Sequence, residues 1–340
     1  MADVRPFRAL RYAAADLEPL VAPPYDVVSD EQRAELLARD PHNVVHLTLP
    51  DSEEQAARDL AAWRGEGVLV EEEPAYWWLR QDYVGPDGVA RSRHGFVAAL
   101  RAQPYEERVI LPHERTHAGP KEGRLRLLRA TRTQLEPIFL LWDGSIELDG
   151  LGAPDLAAAE AKLWRLEPEF GEALTEELRD AQLLIADGHH RYETTLAFGD
   201  SPWLLAVIVP TDQEGLTIFP THRLARSVDG IAGTPIPPPD DVLPGPVLYR
   251  GEGRYELLAG DGLDPEVVAA LAPEGVTYTA SREEAEAAVD RGDAAGAFLL
   301  RPPRIEDVWE VARRGDVMPQ KSTFFYPKLT SGLLFFPVDD

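Results

Sequence analysis

The sequence predicts a mixed α/β fold for this chain of 340 residues. Short apolar runs of strand length alternate with longer amphipathic segments of helix length from one end of the chain to the other. Pairs of strand-like runs are also joined directly by turn-forming residues, which is typical of β-hairpins. Because connections through helices and through hairpins occur together, we expect a sheet with both parallel and antiparallel strands. Hydrophobic residues make up 44% of the chain, which is enough for a substantial core.

The first 210 residues carry most of the predicted elements. Ser29 and Gln32 have the spacing of a capping box, which predicts a helix over residues 29–40. The Gly-Pro-Asp-Gly turn at 85–88 lies between two β-rich runs and predicts a hairpin over 75–101. The other predicted elements are a strand around His46, helices at 53–67 and 121–135, a strand at 137–142, two helices within 153–181, a strand at 183–186, a helix at 190–198 and a strand at 203–209.

Residues 227–246 contain six prolines and form the predicted linker or long surface loop, because proline interrupts both helices and central strands. The preceding residues 1–226 are expected to form the main core, and residues 247–316 a smaller α/β region. The final segment, residues 317–340, is expected to return to the functional site. Within the smaller region the predicted elements are a hairpin at 247–259, helices at 264–272, 281–292 and 305–315, and a strand at 296–300.

Composition and charge exclude several classes of protein. The formal net charge is −25, from 59 acidic and 34 basic residues, so the surface repels nucleic-acid phosphates and anionic lipid, and no nucleic-acid partner is expected. The absence of cysteine excludes disulfides, thiolate metal sites and cysteine nucleophiles, and it fits the reducing environment of the cytoplasm, the expected location. No apolar run approaches the roughly 20 residues of a membrane span. The oligomeric state is left open by the sequence.

The stretch LLIADGHHRYETTLAF predicts a strand that ends at Asp187 and a helix that begins just after Gly188. The unpaired amides at the start of such a helix, together with its dipole, bind anions. Arg191 in the first turn adds a planar guanidinium suited to phosphate or carboxylate. The two histidines between them, His189 and His190, can donate hydrogen bonds, and one could move a proton near neutral pH. The alternative is that Asp187 is an ordinary N-cap beside surface histidines. A metal site built on two adjacent histidines is disfavoured, because neighbours in a turn rarely converge on one ion.

Other polar clusters combine turn formers with reactive side chains. They lie at residues 22–28, 109–121, 219–224 and 318–329, and each alone could be a surface loop. Together they place basic and hydroxyl groups in rigid turns of an acidic chain, as a pocket for a small anionic ligand requires. The known nucleotide and hydrolase motifs, such as GxxxxGK[ST] and GxSxG, are missing. The candidate residues of these clusters are Asp26, Glu114, Arg115, His117, Lys121, Lys321, Ser322 and Thr323.

The motifs APPYDVV, NVVHLTLP, LPHERTHAGPK, IADGHHRYET, THR and MPQKSTFFYPKL resemble those of the bacterial and archaeal domain of unknown function family 1015, over nearly the whole chain. The DGHHR corner also resembles the phosphate-binding signature of the ParB/sulfiredoxin superfamily, in the version found in free-serine kinases. The resemblance implies a ParB/sulfiredoxin-like nucleotide-binding core with an additional α/β region. His189 stands where sulfiredoxins have cysteine, so reduction of a sulfinic acid through that residue is not expected.

The resemblance further implies that nucleotide phosphates bind at Gly188, His189, His190 and Arg191. ATP or ADP would be the nucleotide and Mg²⁺ the accompanying ion, with Asp187 facing the substrate or the metal. Free-serine kinases use an upstream acidic residue as base, for which Asp26 and Glu114 are the candidates, and Lys121 and Lys321 could neutralise the transferring phosphate. The predicted function is phosphoryl transfer to a small hydroxyl metabolite. Two alternatives stay open, a phosphohydrolase acting on a nucleotide or phosphoester, and a non-enzymatic nucleotide-binding regulatory protein.

Overall fold

A computed structural model of the chain describes residues 1–114, 118–146, 148 and 150–339. Parallel and antiparallel strand pairs occur in the same sheet, which confirms the predicted mixed α/β class. The chain forms two compact units. The first unit contains Met1–Pro112, the chain from helix Ala118–Thr131 onward to Leu216, and the chain from Pro327. The second unit contains His113, Glu114 and Thr217–Tyr326.

Ser29, Ser52 and Ser281 are helix N-caps whose side chains each accept a hydrogen bond from a backbone amide of the first turn. Ser29 Oγ accepts a hydrogen bond from the Gln32 amide at 3.2 Å, and Gln32 Oε1 accepts one from the Ser29 amide at 2.9 Å, which confirms the capping box. Short 3₁₀ turns occur at Tyr25–Val27 and Tyr105–Glu107. The α-helices are α1 Asp30–Arg39, α2 Val45–Thr48, α3 Glu53–Gly65, α4 Ala118–Thr131, α5 Pro168–Leu178, α6 His189–Phe198, α7 Asp264–Ala270, α8 Arg282–Asp290 and α9 Ile305–Arg314.

The strands are short apart from three that run through the centre of the first unit. In chain order they are β1 Val4–Arg5, β2 Leu10–Tyr12, β3 Leu69–Glu71, β4 Trp77–Val84, β5 Ala90–Arg101, β6 Ile110–Leu111, β7 Thr133–Gln134, β8 Ile138–Trp142, β9 Leu156–Ala158, β10 Ala161–Arg165, β11 Leu183–Asp187, β12 Trp203–Pro210, β13 Thr217–Phe219, β14 His222–Ala225, β15 Thr234–Ile236, β16 Val247–Tyr249, β17 Tyr255–Leu257, β18 Thr277–Thr279, β19 Gly296–Leu299, β20 Phe324–Tyr326 and β21 Phe336–Pro337.

The first unit is built on one large sheet with the order β6-β11-β8-β12-β5-β4-β10-β9, with β1 attached to β5. β11 is parallel to β6 and antiparallel to β8, and β8 is parallel to β12. Strands β8 and β12 are almost continuously buried, as expected for strands covered on both faces. β4 and β5 form the predicted hairpin. The site described below begins at the end of β11, the second strand from one edge of this sheet.

The second unit has its own six-stranded antiparallel sheet, in the order β15-β17-β16-β19-β14-β18. Alternate residues of β16 and β19 enter two separate hydrophobic clusters, one containing Val247 and Leu299 and the other Leu248 and Phe298. Strand β15 lies within the proline-rich segment predicted as a linker or loop, so part of that segment is an edge strand of this sheet. No helix of the described residues is long and apolar enough to cross a membrane.

Two sequence predictions of secondary structure are wrong. Residues 156–165 form the hairpin β9–β10 rather than a helix, and only α5 is helical in the stretch 153–181. Alanines favour a helix there, but pairing of β10 with β4 buries the apolar residues of β10 and overrides that preference. His46 lies in the short helix α2 and not in a strand. The buried Asn43 side chain accepts a hydrogen bond from the Val45 amide at 3.0 Å and fixes the helical turn.

Candidate functional site

The corner between β11 and α6 depends on Gly188. Its φ of 96° lies in the left-handed region, and a Cβ at this position would lie 2.8 Å from Ile138 Cγ2. Gly188 is the N-cap of α6, and the Asp187 carboxylate accepts its hydrogen bonds from Arg191 and Lys328, so the alternative in which Asp187 caps the helix is wrong. As a glycine, the N-cap itself supplies no side-chain oxygen to the first amides of α6.

Asp187 lies between two cations. Its Oδ2 accepts a hydrogen bond from Arg191 Nη2 at 2.6 Å, and its Oδ1 accepts one from Lys328 Nζ. Burial alone would raise the pKa of the Asp187 carboxyl, but the positive charges of Lys328 and Arg191 outweigh burial and hold that pKa far below its usual range. The two cations therefore favour the ionised form of Asp187, and both of its carboxylate oxygens accept hydrogen bonds from them.

The Arg191 side chain is turned back into the protein. Its Nη1 donates to the Pro137 carbonyl oxygen, its Nη2 to Asp187, and only 8% of the residue is exposed. This arrangement differs from the one the sequence indicates, in which the guanidinium presents its planar edge to a phosphate. The reason is the i to i+4 spacing of Asp187 and Arg191, which brings an acid and a base together at the helix start. His189 and His190 occupy the first two positions of α6 and are partly exposed.

Lys328 is held in place through the backbone of its own segment. Arg93 is fully buried and donates to the Pro327 carbonyl oxygen at 2.5 Å and to Gln81 Oε1 at 2.7 Å. The Arg93 guanidinium also lies over the Phe139 ring, 4.5 Å from its centre. From this anchored segment, Lys328 Nζ reaches Asp187 and lies 3.9 Å from Asp26 Oδ2.

The turn that contains Asp26 is held near Lys328 by a buried acid, Glu136. Glu136 Oε1 accepts hydrogen bonds from the Tyr25 amide at 3.1 Å and from Ser331 Oγ at 2.7 Å. Arg124 of α4 stacks over the Tyr25 ring at 3.8 Å and lies 3.8 Å from Glu136 Oε2. The N-terminal turn and the C-terminal segment are thus tied to one carboxylate beside α6.

Residues 4–234 match the family described as "Protein of unknown function (DUF1015)". The chain belongs to this family. The membership confirms the family that the motifs indicate, and the matched segment contains Asp26, Glu136 and the whole β11–α6 corner of this DUF1015 protein. No curated protein sequence is significantly similar to it.

Solved structures with partial similarity to the DUF1015 protein include two of free serine kinase. The one in complex with AMP has 16% identity and a TM-score of 0.42, and covers 66% of this chain and 89% of its own. A mutant of free serine kinase in complex with ADP has 16% identity, the same coverage of both chains and a TM-score of 0.44. SbnI with a C-terminal truncation, from Staphylococcus aureus, has 11% identity and a TM-score of 0.46, over 71% of this chain and 87% of its own.

The remaining predicted site residues of the DUF1015 protein lie elsewhere or have other partners. Lys121 Nζ binds Glu193 Oε2 on α6 at 2.7 Å. Thr323 Oγ1 is 2.9 Å from the His113 ring nitrogen, and Ser322 Oγ donates to the Pro319 carbonyl oxygen at 2.5 Å. Those belonging to the second unit are Glu114, Lys321, Ser322 and Thr323, and those outside the described residues are Arg115 and His117.

Sequence reasoning missed Lys328, Glu136 and Arg124 as members of this cluster. The motif MPQKSTFFYPKL contains Lys328 and the basic run at 115–132 contains Arg124, so both were visible as charged residues near candidate motifs. Glu136 carries no local signal. It is a single acid before Pro137, and its significance comes from a burial that only the fold reveals.

The cluster can be tested for a place for Mg²⁺. Within the described ranges there is no group of three His, Asp or Glu side chains that could hold a metal ion. Both oxygens of Asp187 already accept hydrogen bonds from cations. Mg²⁺ commonly binds through one or two carboxylates together with the phosphates of its substrate. The DUF1015 residues fit an ion of that kind, with Asp26 as the carboxylate, and not a protein-only metal cage.

Proposed function

We propose that this DUF1015 protein binds ATP or ADP by its phosphates at the start of α6 and transfers a phosphoryl group to the hydroxyl of a small metabolite. The single observation that carries the proposal is the Asp187–Gly188 corner. There a helix start with a glycine N-cap, two histidines and a lysine held by an ionised aspartate come together. Such a helix start binds anions through its amides and its dipole. The DGHHR motif, which resembles the free-serine-kinase version of the ParB/sulfiredoxin signature, supports the same role.

Each group of the corner has a task in this proposal. The amides of Gly188, His189 and His190 and the two imidazoles donate to phosphate oxygens. Lys328 neutralises the charge that develops on the transferred phosphoryl group, the main catalytic requirement of this chemistry. Asp187 keeps the ammonium of Lys328 charged and oriented, because burial alone would lower the pKa of Lys328 and the charge of Asp187 raises it. Arg191 stabilises the corner through its hydrogen bonds to Asp187 and to the Pro137 carbonyl oxygen.

Asp26 is the proposed general base. Its side chain is 27% exposed, so an acceptor can reach it, whereas Asp187 has both oxygens engaged. The acceptor oxygen forms a bond to the terminal phosphorus of the nucleotide as the bond to the bridging oxygen breaks. The hydroxyl proton passes to Asp26, and ADP leaves from ATP or AMP leaves from ADP. Mg²⁺ bound with the phosphates would supply further charge neutralisation. With a net charge of −25, a small metabolite is a better acceptor than a nucleic acid.

The experiment is a thermal-shift titration with ATP, ADP, CTP and GTP, each with and without Mg²⁺. A nucleotide at about a hundred times its Kd adds ~2.7 kcal/mol and should raise the Tm by roughly 5–10 °C. Lys328→Met should lose most of that shift. Lys162→Met is the matched control, because Lys162 also binds an aspartate, Asp82 at 2.9 Å, but is 46% exposed.

A second measurement separates the catalytic possibilities. Phosphoryl transfer to a panel of hydroxyl metabolites is followed by ³¹P NMR, for the wild type and for Asp26→Asn. Transfer that depends on Asp26 supports the proposal. Phosphate release without any acceptor points to a phosphohydrolase, and binding without turnover points to a regulatory nucleotide-binding protein. No nucleotide effect on the Tm of the wild type would rule out the phosphate site itself.

A further inference from the structure

A small cavity lies behind the first turns of α6. It has a volume of about 30 Å³ and is bounded by α4, by residues 133–136 and by α6. By the usual measure a water molecule needs ~10–15 Å³, so the cavity has room for two or three waters or for one carboxylate group. Its polar lining includes Arg124, Gln134, Glu136, Arg191 and Thr194.

Thr194 gives the first sign that the cavity receives a ligand. The residue is 3% exposed, and its Oγ1 is buried without a hydrogen-bond partner among the described residues. A buried hydroxyl left unpaired costs roughly 1–3 kcal/mol. Neighbouring Thr195, by contrast, donates to the Arg191 carbonyl oxygen at 3.2 Å and accepts from Gln134 Nε2 at 3.0 Å. The unpaired hydroxyl is therefore specific to the side chain that lines the cavity.

The two arginines give the second sign. Arg124 donates one hydrogen bond, from Nη1 to the Thr48 carbonyl oxygen at 2.8 Å, and its side chain is 18% exposed. Arg191 donates from Nη1 and Nη2 to Pro137 and Asp187. Within the described part of the chain the Nε hydrogens of both guanidinium groups are unused, although both side chains are largely buried. Each arginine has five donor hydrogens, so most of this donor capacity has no acceptor among the residues that the structure describes.

The charge of the lining limits the ligand to a single negative charge. Arg124 and Arg191 contribute two positive charges, and Glu136, buried and 3.8 Å from Arg124, contributes one negative charge. Asp187, which pairs with Arg191, is itself paired with Lys328, so these two charges offset each other just outside the lining. The net charge of +1 is balanced by a carboxylate but not by a phosphate dianion. A planar carboxylate also suits the planar guanidinium groups, with one further oxygen contact for a threonine hydroxyl.

We propose that this cavity binds the carboxylate of the phosphoryl acceptor, and that the acceptor is a small hydroxy acid. Arg191 belongs both to the cavity lining and to the Asp187–Gly188 corner. An acceptor whose carboxylate occupies the cavity would therefore hold its hydroxyl, one or two carbons away, near the start of α6. The acceptor role rests on the proposed function, whereas the carboxylate site itself does not.

The test begins without nucleotide. Sodium glycolate, the simplest hydroxy acid, is compared with neutral methyl glycolate and with sodium chloride at matched ionic strength, by thermal shift and by isothermal titration. Glycolate should stabilise the wild type and the two controls should not. Thr194→Val should weaken glycolate binding about fivefold, through loss of one hydrogen bond, and Arg124→Met about tenfold or more, through loss of a charge-assisted one.

Two further variants keep the result unambiguous. Arg126→Met is the matched control on α4, because Arg126 is 63% exposed and binds Glu53 at 2.8 Å, and it should keep the wild-type affinity for glycolate. Without ligand, Thr194→Val should fold and be as stable as the wild type or more so, because it removes an unpaired hydroxyl. Equal stabilisation by methyl glycolate, or unchanged glycolate binding in both cavity variants, would overturn the carboxylate site.

The transfer assay then separates the two proposals. If glycolate binds as expected but no acid accepts a phosphoryl group, the cavity stands and the kinase function falls. If transfer occurs but neutral alcohols are as good phosphoryl acceptors as hydroxy acids, the kinase function stands and the proposed acceptor class is wrong. If hydroxy acids are preferred, Thr194→Val should raise KM for the acid with little change in kcat, since the contact is to the carboxylate and not to the reacting hydroxyl.

Discussion

Asp187→Asn should destabilise the protein far more than the loss of an ordinary ion pair. The substitution leaves Lys328 and Arg191, with side chains 19% and 9% exposed, without their shared carboxylate. Removal of one member of a buried ion pair costs about 3–5 kcal/mol, because the remaining charge stays buried. For a unit of this size, that corresponds to a decrease in Tm of roughly 6–20 °C. Circular dichroism with thermal and urea denaturation measures both quantities.

Asp82 provides a matched control on the surface of the same unit. It also binds one arginine and one lysine, Arg80 at 2.8 Å and Lys162 at 2.9 Å, but these side chains are 51% and 46% exposed. Exposed pairs contribute only ~0–1 kcal/mol, so Asp82→Asn should change the Tm little. If the two variants lose the same small amount of stability, the buried pair is not what holds the corner together and the reasoning fails.

The pH dependence of the Asp187 effect has a definite sign. A folded-state pKa below that of the unfolded chain means that the carboxylate stabilises the protein fully above the unfolded value, near pH ~3.9. This stabilisation is lost as the pH falls further toward the lowered folded-state pKa. The difference in unfolding free energy between wild type and Asp187→Asn should therefore be constant from pH 8 to about pH 5 and shrink below about pH 4. A difference that grows on acidification would contradict the ionised carboxylate.

Three further predictions follow from other features. Gly188→Ala should lower the unfolding free energy by about 1–3 kcal/mol and abolish any nucleotide-dependent shift in Tm, because a side chain at φ 96° is strained and meets Ile138. Gly67→Ala is the control for backbone strain alone, since Gly67 is also left-handed but has open space around it. Arg93→Met should reduce the nucleotide-dependent shift without touching the site, since the Pro327 carbonyl loses its donor and Lys328 its anchor; an unchanged shift in a folded variant would show that Lys328 is positioned by other contacts. Burial lowers the pKa of His222 from 6.5 to about 4, so the unfolded chain takes up the proton first as the pH falls. The second unit should therefore lose roughly 3 kcal/mol of stability between pH 6.5 and pH 4. Urea denaturation across that range should show this loss in the wild type and not in His222→Asn.

Elements with local signals could be predicted from the sequence. The capping box of α1 and the β4–β5 hairpin are each specified by residues a few positions apart. The hairpin β9–β10 could not be predicted in this way. Its alanines favour a helix, and only pairing with β4, where Trp164 lies opposite Trp78, stabilises it as a strand.

The same distinction holds for the site. The corner could be predicted because its strand, glycine, paired histidines and arginine are contiguous in the sequence. The i to i+4 spacing of Asp187 and Arg191 likewise predicts their ion pair. Lys328, in contrast, is 141 positions from Asp187, and the contact between them depends on the path of the whole chain. The unpaired Thr194 hydroxyl cannot be predicted from the sequence, because whether a buried hydroxyl has a hydrogen-bond partner depends on the folded arrangement around it.

The order of the two units along the chain has a consequence for biosynthesis. The first unit is interrupted by Thr217–Tyr326 and resumes only at Pro327, so Asp187 is translated 141 residues before its lysine. At ~5–20 residues per second, the nascent chain carries an incomplete corner for roughly 7–30 s. During that time Asp187 has Arg191 but not Lys328 as a partner, and Glu136 still lacks Ser331. A ribosome-bound chain stopped before residue 327 should therefore be more sensitive to proteases at the β11–α6 corner than the released protein.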